Sequence, residues 1–375
     1  MKIAFICGCL EPGKDGVGDY TRCLAGQLTR QGNQVMIVAL NDQHVPQITR
    51  ERQEIEGNKI SILRINTSSS FNQVVEDIKH FDPHWISLQF VPYSFQRKGL
   101  PYQLASMLSK LGTHNKWHIM FHELWVGAQQ FDFKKKIYAL LQKGIIGNLI
   151  KSVDPSIIHT QLPQYKQQLA ALSKRKINPL PLFSNISMHH GNVLYNSNVR
   201  KFILGFFSQA DVSNNVIIFI KGLKDALSKE NRALEVVFIG GKGGKVHKGA
   251  AVLKAQSIIE QVTSTGFLND QELSQALQSC HLGITSVPRH ALGKSGSAAA
   301  FIEHGVPVAA PNIHPGFNNN NIGFLDDRLK DCIVLHPNLT EVEKAKAAVE
   351  AACELIKLST VTNQFLADLN SIKVN

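Results

Sequence analysis

The segment "KIAFICGCLEPGKDGVGDYTRCLAGQLTRQGNQV", residues 2–35, decides the fold of this chain. It opens on an apolar run of strand length, crosses a glycine-bearing loop, and enters a stretch where Tyr20, Cys23, Leu24, Gln27 and Leu28 recur at helical spacing. Gly32 supplies a left-handed stop, and "QVMIVAL" (34–40) returns as a second strand. Strand, crossover helix and strand in this order predict a parallel sheet.

The rhythm continues outward. "HWISLQF" (84–90), "WHIMFH" (117–122) and "SIIHT" (156–160) are continuous apolar runs, as a sheet covered on both faces requires. Residues 177–198 are rich in Pro, Asn, Ser and Gly without helical period, and read as an interdomain linker. The pattern then restarts with strands at "FILGFF" (202–207), "LEVVFIG" (234–240), "HLGITSV" (281–287), "VPVAA" (306–310) and "CIVLH" (332–336). Thr340 and Glu343 stand in capping-box spacing at the head of a long helix, and "NQFLADLNSI" closes the chain as another. The fold class is therefore α/β, with two Rossmann-like domains facing across a cleft. Residues 1–180 form the first domain, 200–358 the second, and a terminal helix within 359–375 is expected to pack back on the first.

At 375 residues, 43% hydrophobic and 18% charged, the composition suits two globular cores and excludes a disordered or fibrous chain. Six cysteines lie scattered without CxxC spacing, which argues against a zinc or disulfide framework and fits a reducing cytoplasm. The N-terminal apolar run is too short to span a bilayer and carries no cleavage pattern, so it reads as a buried strand. A formal net charge of +11 implies an anionic partner: nucleic acid, a phosphorylated substrate or an acidic membrane. The lysines are not interleaved with aromatics on a recognisable module, so nucleic acid is not expected.

Two glycine turns follow predicted strands. In "EPGKDGVGDY" (11–20), Gly16 and Gly18 allow backbone amides to approach an anion at a helix N-terminus, although Thr21 takes the third glycine position of a dinucleotide fingerprint. "SVPRHALGKSGSAAAFIEHGVPVAA" (286–310) comes within one residue of a phosphate-cradling P-loop, but Pro288 replaces the first glycine and no later strand ends in an acid placed to hold magnesium. What remains is a phosphate site without hydrolytic machinery: Gly293, Ser295, Gly296 and Ser297 opening a helix, with Lys294 beside them.

In order and spacing, the opening segment together with "VVFIGG", "TGFLNDQELSQALQSCHLGITSVP" and "GVPVAAPN" resembles the family 4 retaining glycosyltransferases of the GT-B fold, over nearly the whole chain. The resemblance implies a nucleotide-diphosphate sugar as donor, held mostly on the second domain, with the acceptor mainly on the first. Gly16, Val17 and Gly18 match the loop facing the donor phosphates. Gly293 to Ser297 match the loop of the donor-binding helix, and Gly266, Phe267 and Leu268 the segment flanking the base. A histidine at the position of His122 contacts the donor sugar in that family, and His122 with Glu123, a polar pair at the end of a predicted strand, are the expected catalytic residues. No cofactor and no metal ion are implied. Sugar transfer with retention is implied, to a carbohydrate or lipid-linked hydroxyl acceptor, in surface glycan or glycolipid synthesis on the cytoplasmic side.

Departures from the family are specific. Its two donor-loop glutamates fall on Leu292 and Ala300, leaving Glu303 as the nearby carboxylate. Its Arg and Lys pair is missing from "GFFSQADVSNN" (205–215), so Lys294, Arg289, Lys242 or Lys245 would have to neutralise the diphosphate, with Lys294 favoured. A non-catalytic partner subunit of the same shape is the alternative. A dehydrogenase or epimerase would need a stronger first-loop fingerprint and a Tyr-x-x-x-Lys pair. His114, His118 and His122, four apart on a strand, lie too far from one another to share an ion. Lysines 134, 135, 136, 143 and 151 punctuate an apolar segment, 131–153, which reads either as a solvated helix face or as a peripheral membrane contact at the inner face.

Overall fold

The computed structural model describes residues 1–66, 70–112, 115–126, 133–189, 200–208, 211–240, 244–255, 259 and 262–372. The chain divides into two compact units, Met1–Leu180 with Val361–Asn375, and Pro181–Thr360.

The first unit is built on eight strands: β1 (Lys2–Cys7), β2 (Gln34–Ala39), β3 (Thr49–Ile55), β4 (Asn58–Arg64), β5 (Trp85–Phe90), β6 (Lys116–Phe121), β7 (Ile157–Thr160) and β8 (Ile177–Pro179). Their order is β3-β4-β2-β1-β5-β6-β7-β8, parallel throughout except for the β3–β4 hairpin. All six residues of β5 are buried, as a strand covered on both faces demands. The hairpin turns on Glu56 and Gly57, both with positive φ (52° and 74°), the backbone of a twist-matched two-residue turn. Gly32, at φ 82°, ends the first helix, Gly16–Arg30.

The second unit carries β9 (Lys201–Phe207), β10 (Ala233–Ile239), β11 (Val262–Ser264), β12 (Leu282–Ile284), β13 (Val308–Ala309) and β14 (Ile333–Val334). All pairs are parallel, in the order β11-β10-β9-β12-β13-β14. Read by sequence this is 3-2-1-4-5-6, the doubly wound Rossmann order. The order in which successive strands are added reverses between β9 and β12 here, and between β1 and β5 in the first unit.

Two local expectations are corrected. The segment read as a linker begins with a strand: Ile177–Pro179 pairs with β7 at the sheet edge, where a proline lacking its N–H is tolerated. Its residues 190–198 lie outside the described part. Helix Leu339–Ala352 is capped by Asn338, whose side chain accepts from the Thr340 amide at 2.9 Å, in place of the Thr340–Glu343 box. A capping box instead opens helix Asp270–Gln278, with Asn269 and Glu272 bonding reciprocally. The last helix, Leu358–Ser371, buries Phe365 against Phe5 of β1, ring centroids 6.0 Å apart.

Candidate functional site

Ligands of doubly wound sheets bind beyond the strand C-termini, where the strand order reverses. In the first unit that place is the turn between β1 and helix Gly16–Arg30. Asp15 caps this helix, one carboxylate oxygen accepting from the amides of Val17 (2.8 Å) and Gly18 (3.0 Å), the other from the Ser94 hydroxyl (2.9 Å). Asp19 accepts from the Gly13 amide at 3.1 Å. Two carboxylates thus already meet the positive end of the helix, and the Val17 and Gly18 amides expected to face a diphosphate are engaged by Asp15. Gly18 is needed for packing, since a Cβ there would lie 2.4 Å from the Cys9 carbonyl, while a Cβ on Gly16 would meet nothing within 4 Å.

Asp42 follows β2, where a dinucleotide enzyme keeps a carboxylate for the ribose. Here it is fully buried and bonded to Arg64 Nε (2.7 Å) and to the amides of Leu10 (3.0 Å) and His44 (3.1 Å). Burial pushes its pKa up, but the Arg64 hydrogen bond and the two amides outweigh this and hold it below the usual carboxylate range. Arg64 also takes Glu11, at 2.6 Å. This closed network leaves no carboxylate for a ribose and removes the dinucleotide reading.

His122 lies just past β6 and is 5% exposed. Its Nε2 is 2.9 Å from Gln89 Oε1, and its Nδ1 accepts from Gln161 Nε2 at 3.2 Å. Gln89 donates to Ser87 Oγ (2.8 Å), Ser87 lies 2.8 Å from His118 Nδ1, His118 Nε2 lies 2.9 Å from His159 Nδ1, and His159 Nε2 lies 2.9 Å from Asp368. An ionised carboxylate only accepts, so His159 carries its proton on Nε2, and each link back to Gln161 then donates toward Asp368. His118 and His122 thus belong to one chain of bonds along the sheet. Burial pushes the His122 pKa down to about 3, so the ring is neutral with both nitrogens engaged. His122, expected to contact a donor sugar, has both ring nitrogens bonded to Gln89 and Gln161 in this arrangement. Glu123 is half-buried beside it, its amide 3.5 Å from the Phe90 carbonyl.

A cavity of about 410 Å³ lies beyond the ends of β2 and β4, between Leu40, Asn41, Asn66 and the segment from Phe95 to Met107. Its lining holds four carboxamides, Asn41, Asn66, Gln96 and Gln103, and no charged side chain, in a chain of net charge +11. In the sequence the stretch "SLQFVPYSFQRKGLP" (87–101) stands out by its resemblance to a subgroup of family 4 enzymes, but its isolated amides form no spacing motif that marks a cavity.

In the second unit, a turn of 3-10 helix, Arg289–Lys294, follows β12 and leads into helix Gly296–Glu303. Ser295 caps that helix, accepting from the Ala298 amide at 3.2 Å, while the amides of Gly296 and Ser297 have no partner among the described residues. Gly296 is exposed, with nothing within 4 Å of an added Cβ, and Lys294 is half-buried beside it. The Gly293 amide is taken by the Gly323 carbonyl at 2.9 Å. Arg289 is not a diphosphate ligand: buried, its guanidinium donates to the carbonyls of Ala310, Asn319 and Leu335 at 2.7, 2.8 and 2.9 Å. Lys242 and the Lys245 side chain fall outside the described part.

Leu292 and Ala300 are each 1% exposed in the apolar core, so both glutamate positions are filled by packing. Glu303 does not replace them. It ends the helix, about 10 Å of rise from Gly296, and is buried with Oε2 unpartnered. Burial pushes its pKa up to about 7 against the Ser184 amide and Lys357. Gly266, at φ 66°, places Phe267 96% exposed, with Leu268 half-buried. His290 stacks on Phe317, centroids 3.8 Å apart and planes 6° from parallel, in an aromatic cluster that the sequence reading missed.

Among the described residues no three His, Cys, Asp or Glu side chains are grouped to hold a metal ion, and no helix is long and apolar enough to cross a membrane. Of the two units, the second presents amides without a partner among the described residues at its strand-order reversal, while those of the first are engaged by Asp15. No protein-family model and no curated protein sequence matches the chain. Solved structures match its fold. HepE from Anabaena, in complex with UDP and glucose, gives a TM-score of 0.61 at 14% identity, covering 99% of this chain and 100% of that one. The lipopolysaccharide outer core galactosyltransferase WaaB gives 0.58 at 14%, covering 99% of each. A Listeria monocytogenes protein proposed to be a UDP-N-acetylglucosamine 2-epimerase gives 0.54 at 13%, covering 99% and 96%. The chain therefore has the GT-B fold of two Rossmann-like domains.

Proposed function

We propose that this protein is a glycosyltransferase that moves a sugar from a nucleotide-diphosphate donor to a hydroxyl acceptor with retention, in surface glycan or glycolipid synthesis. The observation that supports this reading is the turn after β12, where Lys294 and the amides of Gly296 and Ser297, without a partner among the described residues, stand at the strand-order reversal. A diphosphate there would accept from the two amides and lie beside a cation that stabilises charge developing on the leaving group. Phe267 offers an exposed ring for a base to stack on. In transfer with retention, the glycosidic C–O bond to phosphate breaks as the acceptor oxygen bonds the same face, and the departing phosphate oxygen takes the acceptor proton. The protein's part is placement and charge stabilisation. The uncharged, carboxamide-lined cavity of the first unit suits a neutral sugar acceptor, whose hydroxyls both donate and accept.

One observation favours a second reading, a non-catalytic subunit: the two glutamate positions are packed apolar side chains. Incubation with radiolabelled UDP-, GDP- and dTDP-sugars separates the cases. Release of nucleoside diphosphate, by hydrolysis or transfer, supports the transferase. Binding without turnover supports the subunit, and interconversion of intact sugar nucleotides indicates an epimerase.

A further inference from the structure

Helix Phe133–Val153 packs one face on the core through Ala139, Gln142, Ile145, Ile146 and Leu149, and leaves a second apolar face in solvent. Phe133, Ile137, Leu140 and Leu141 are 75%, 43%, 67% and 41% exposed. At about 100° per residue these four fall in an arc of about 100°, opposite the packed face. Four bulky apolar side chains together in water are unusual on a monomer surface and mark an interaction site. Lys136 and Lys143 flank the arc on one side and Lys134 on the other, all exposed, and the helix contains no aspartate or glutamate. The nearest acid after it, Asp154, sits at the far end and is paired with Arg175 at 2.8 Å.

The patch extends beyond the helix. Tyr138 donates to the Lys98 carbonyl at 2.6 Å and Gln142 to that of Gly99 at 3.0 Å, which brings the 93–102 segment alongside. That segment adds exposed Arg97 and Lys98, and the half-exposed rings of Tyr93 and Tyr102. Tyr102 also lines the neutral cavity, so the surface runs to its rim.

We infer that this face seats on the surface of an anionic lipid bilayer, the apolar arc entering the headgroup region and the flanking lysines meeting lipid phosphates. Charge selects this occupant. A second copy of the same face would bring like lysines together, whereas an anionic bilayer satisfies both the apolar arc and its basic border. The inference stands apart from the donor chemistry and holds whether or not the protein transfers a sugar.

Co-flotation of the purified full chain with vesicles tests it. Binding to 70:30 phosphatidylcholine:phosphatidylglycerol vesicles is expected to exceed binding to pure phosphatidylcholine by about tenfold or more, and to fall in high salt. Ile137→Glu with Leu140→Glu is expected to abolish flotation on both. Lys136→Gln with Lys143→Gln is expected to lower it on the anionic vesicles alone. All four positions are at the surface, so the thermal midpoints of these variants are expected to match the parent, which separates lost docking from lost folding. Equal flotation of parent and Ile137→Glu/Leu140→Glu overturns the inference. So does a dimer in sedimentation that these substitutions dissolve while the parent ignores vesicles.

Discussion

His159 Nε2 lies 2.9 Å from the carboxylate of Asp368, 209 residues further along the chain, and this contact orients every hydrogen bond between the terminal helix and His122. Asp368→Asn replaces an obligate acceptor with a group that can donate or accept, so the orientation of the chain is no longer imposed. The expected outcome is a mixture of ring tautomers at His159 and His118, read from their ¹⁵N ring shifts, where the parent shows one tautomer each. Loss of a charge-assisted bond is also expected to lower stability by about 1–3 kcal/mol. Unaltered ring shifts would place control of the tautomers elsewhere.

The same chain predicts acid sensitivity. Burial holds His122 near a pKa of about 3 and pushes His118 and His159 down as well, with Asp368 opposing the effect at His159. In the unfolded chain a histidine titrates near 6.5, so below that pH the unfolded state binds more protons. Stability is therefore present above about pH 6.5 and lost as pH falls, by about 1.4 kcal/mol per pH unit for each neutral buried ring. Urea midpoints between pH 7.5 and 5.5 are expected to fall less steeply for His122→Gln than for the parent.

Two glycines of the first turn separate packing from ligand approach. Gly18→Ala puts a methyl 2.4 Å from the Cys9 carbonyl, where only backbone can yield, and is expected to cost about 1–3 kcal/mol in urea unfolding. Gly16→Ala has open space and is expected to change stability by under about 1 kcal/mol, in the stabilising direction. Equal losses at both would mean that the turn is tighter at Gly16 than its surroundings show.

The apolar strands were legible because a parallel sheet buried on both faces writes itself as unbroken runs: β1, Lys2–Cys7, is the apolar run that opens segment 2–35, and β5 starts one residue into "HWISLQF". The β3–β4 hairpin was not, since β3, "TRERQEI", is an edge strand whose alternate side chains meet solvent. The Gly293–Ser297 turn was legible as a helix start. The engagement of Val17 and Gly18 by Asp15 was not, because spacing shows where amides lie and not what already bonds them. The helix at 133–153 carries apolar residues on opposite faces, so no single stripe could say which face packs and which stays in water.

Glu303 gives a pH effect of the opposite sign. Folded, it keeps its proton up to about pH 7, while in the unfolded chain it ionises near 4.5. The folded state binds the extra proton across that window, so the stability it contributes is present below about 4.5 and lost as pH rises through 7. Glu303→Gln is expected to gain on the parent by about 1–3 kcal/mol more at pH 8 than at pH 5, measured by urea unfolding. The comparison across pH removes the constant cost of placing an amide beside the orphaned oxygen's position. No change in the difference would show that the carboxylate reaches solvent.

Lys294 and Phe267 make separable predictions about a nucleotide, because one is a cation and the other an exposed ring. Lys294→Ala removes a charge-assisted contact and is expected to weaken UDP by about 1–3 kcal/mol. It should leave uridine, which has no phosphate, nearly unchanged. Phe267→Ala removes a stacking face, also worth about 1–3 kcal/mol, and should weaken UDP and uridine by the same factor. Titration calorimetry of both ligands on both variants gives four numbers. A charge effect confined to UDP with a ring effect common to both places the phosphate at the turn after β12 and the base at Gly266–Leu268. If Lys294→Ala weakens both ligands equally, the lysine supports the turn's shape and the diphosphate lies elsewhere. If neither variant changes UDP affinity, the donor site assigned to the second unit is wrong.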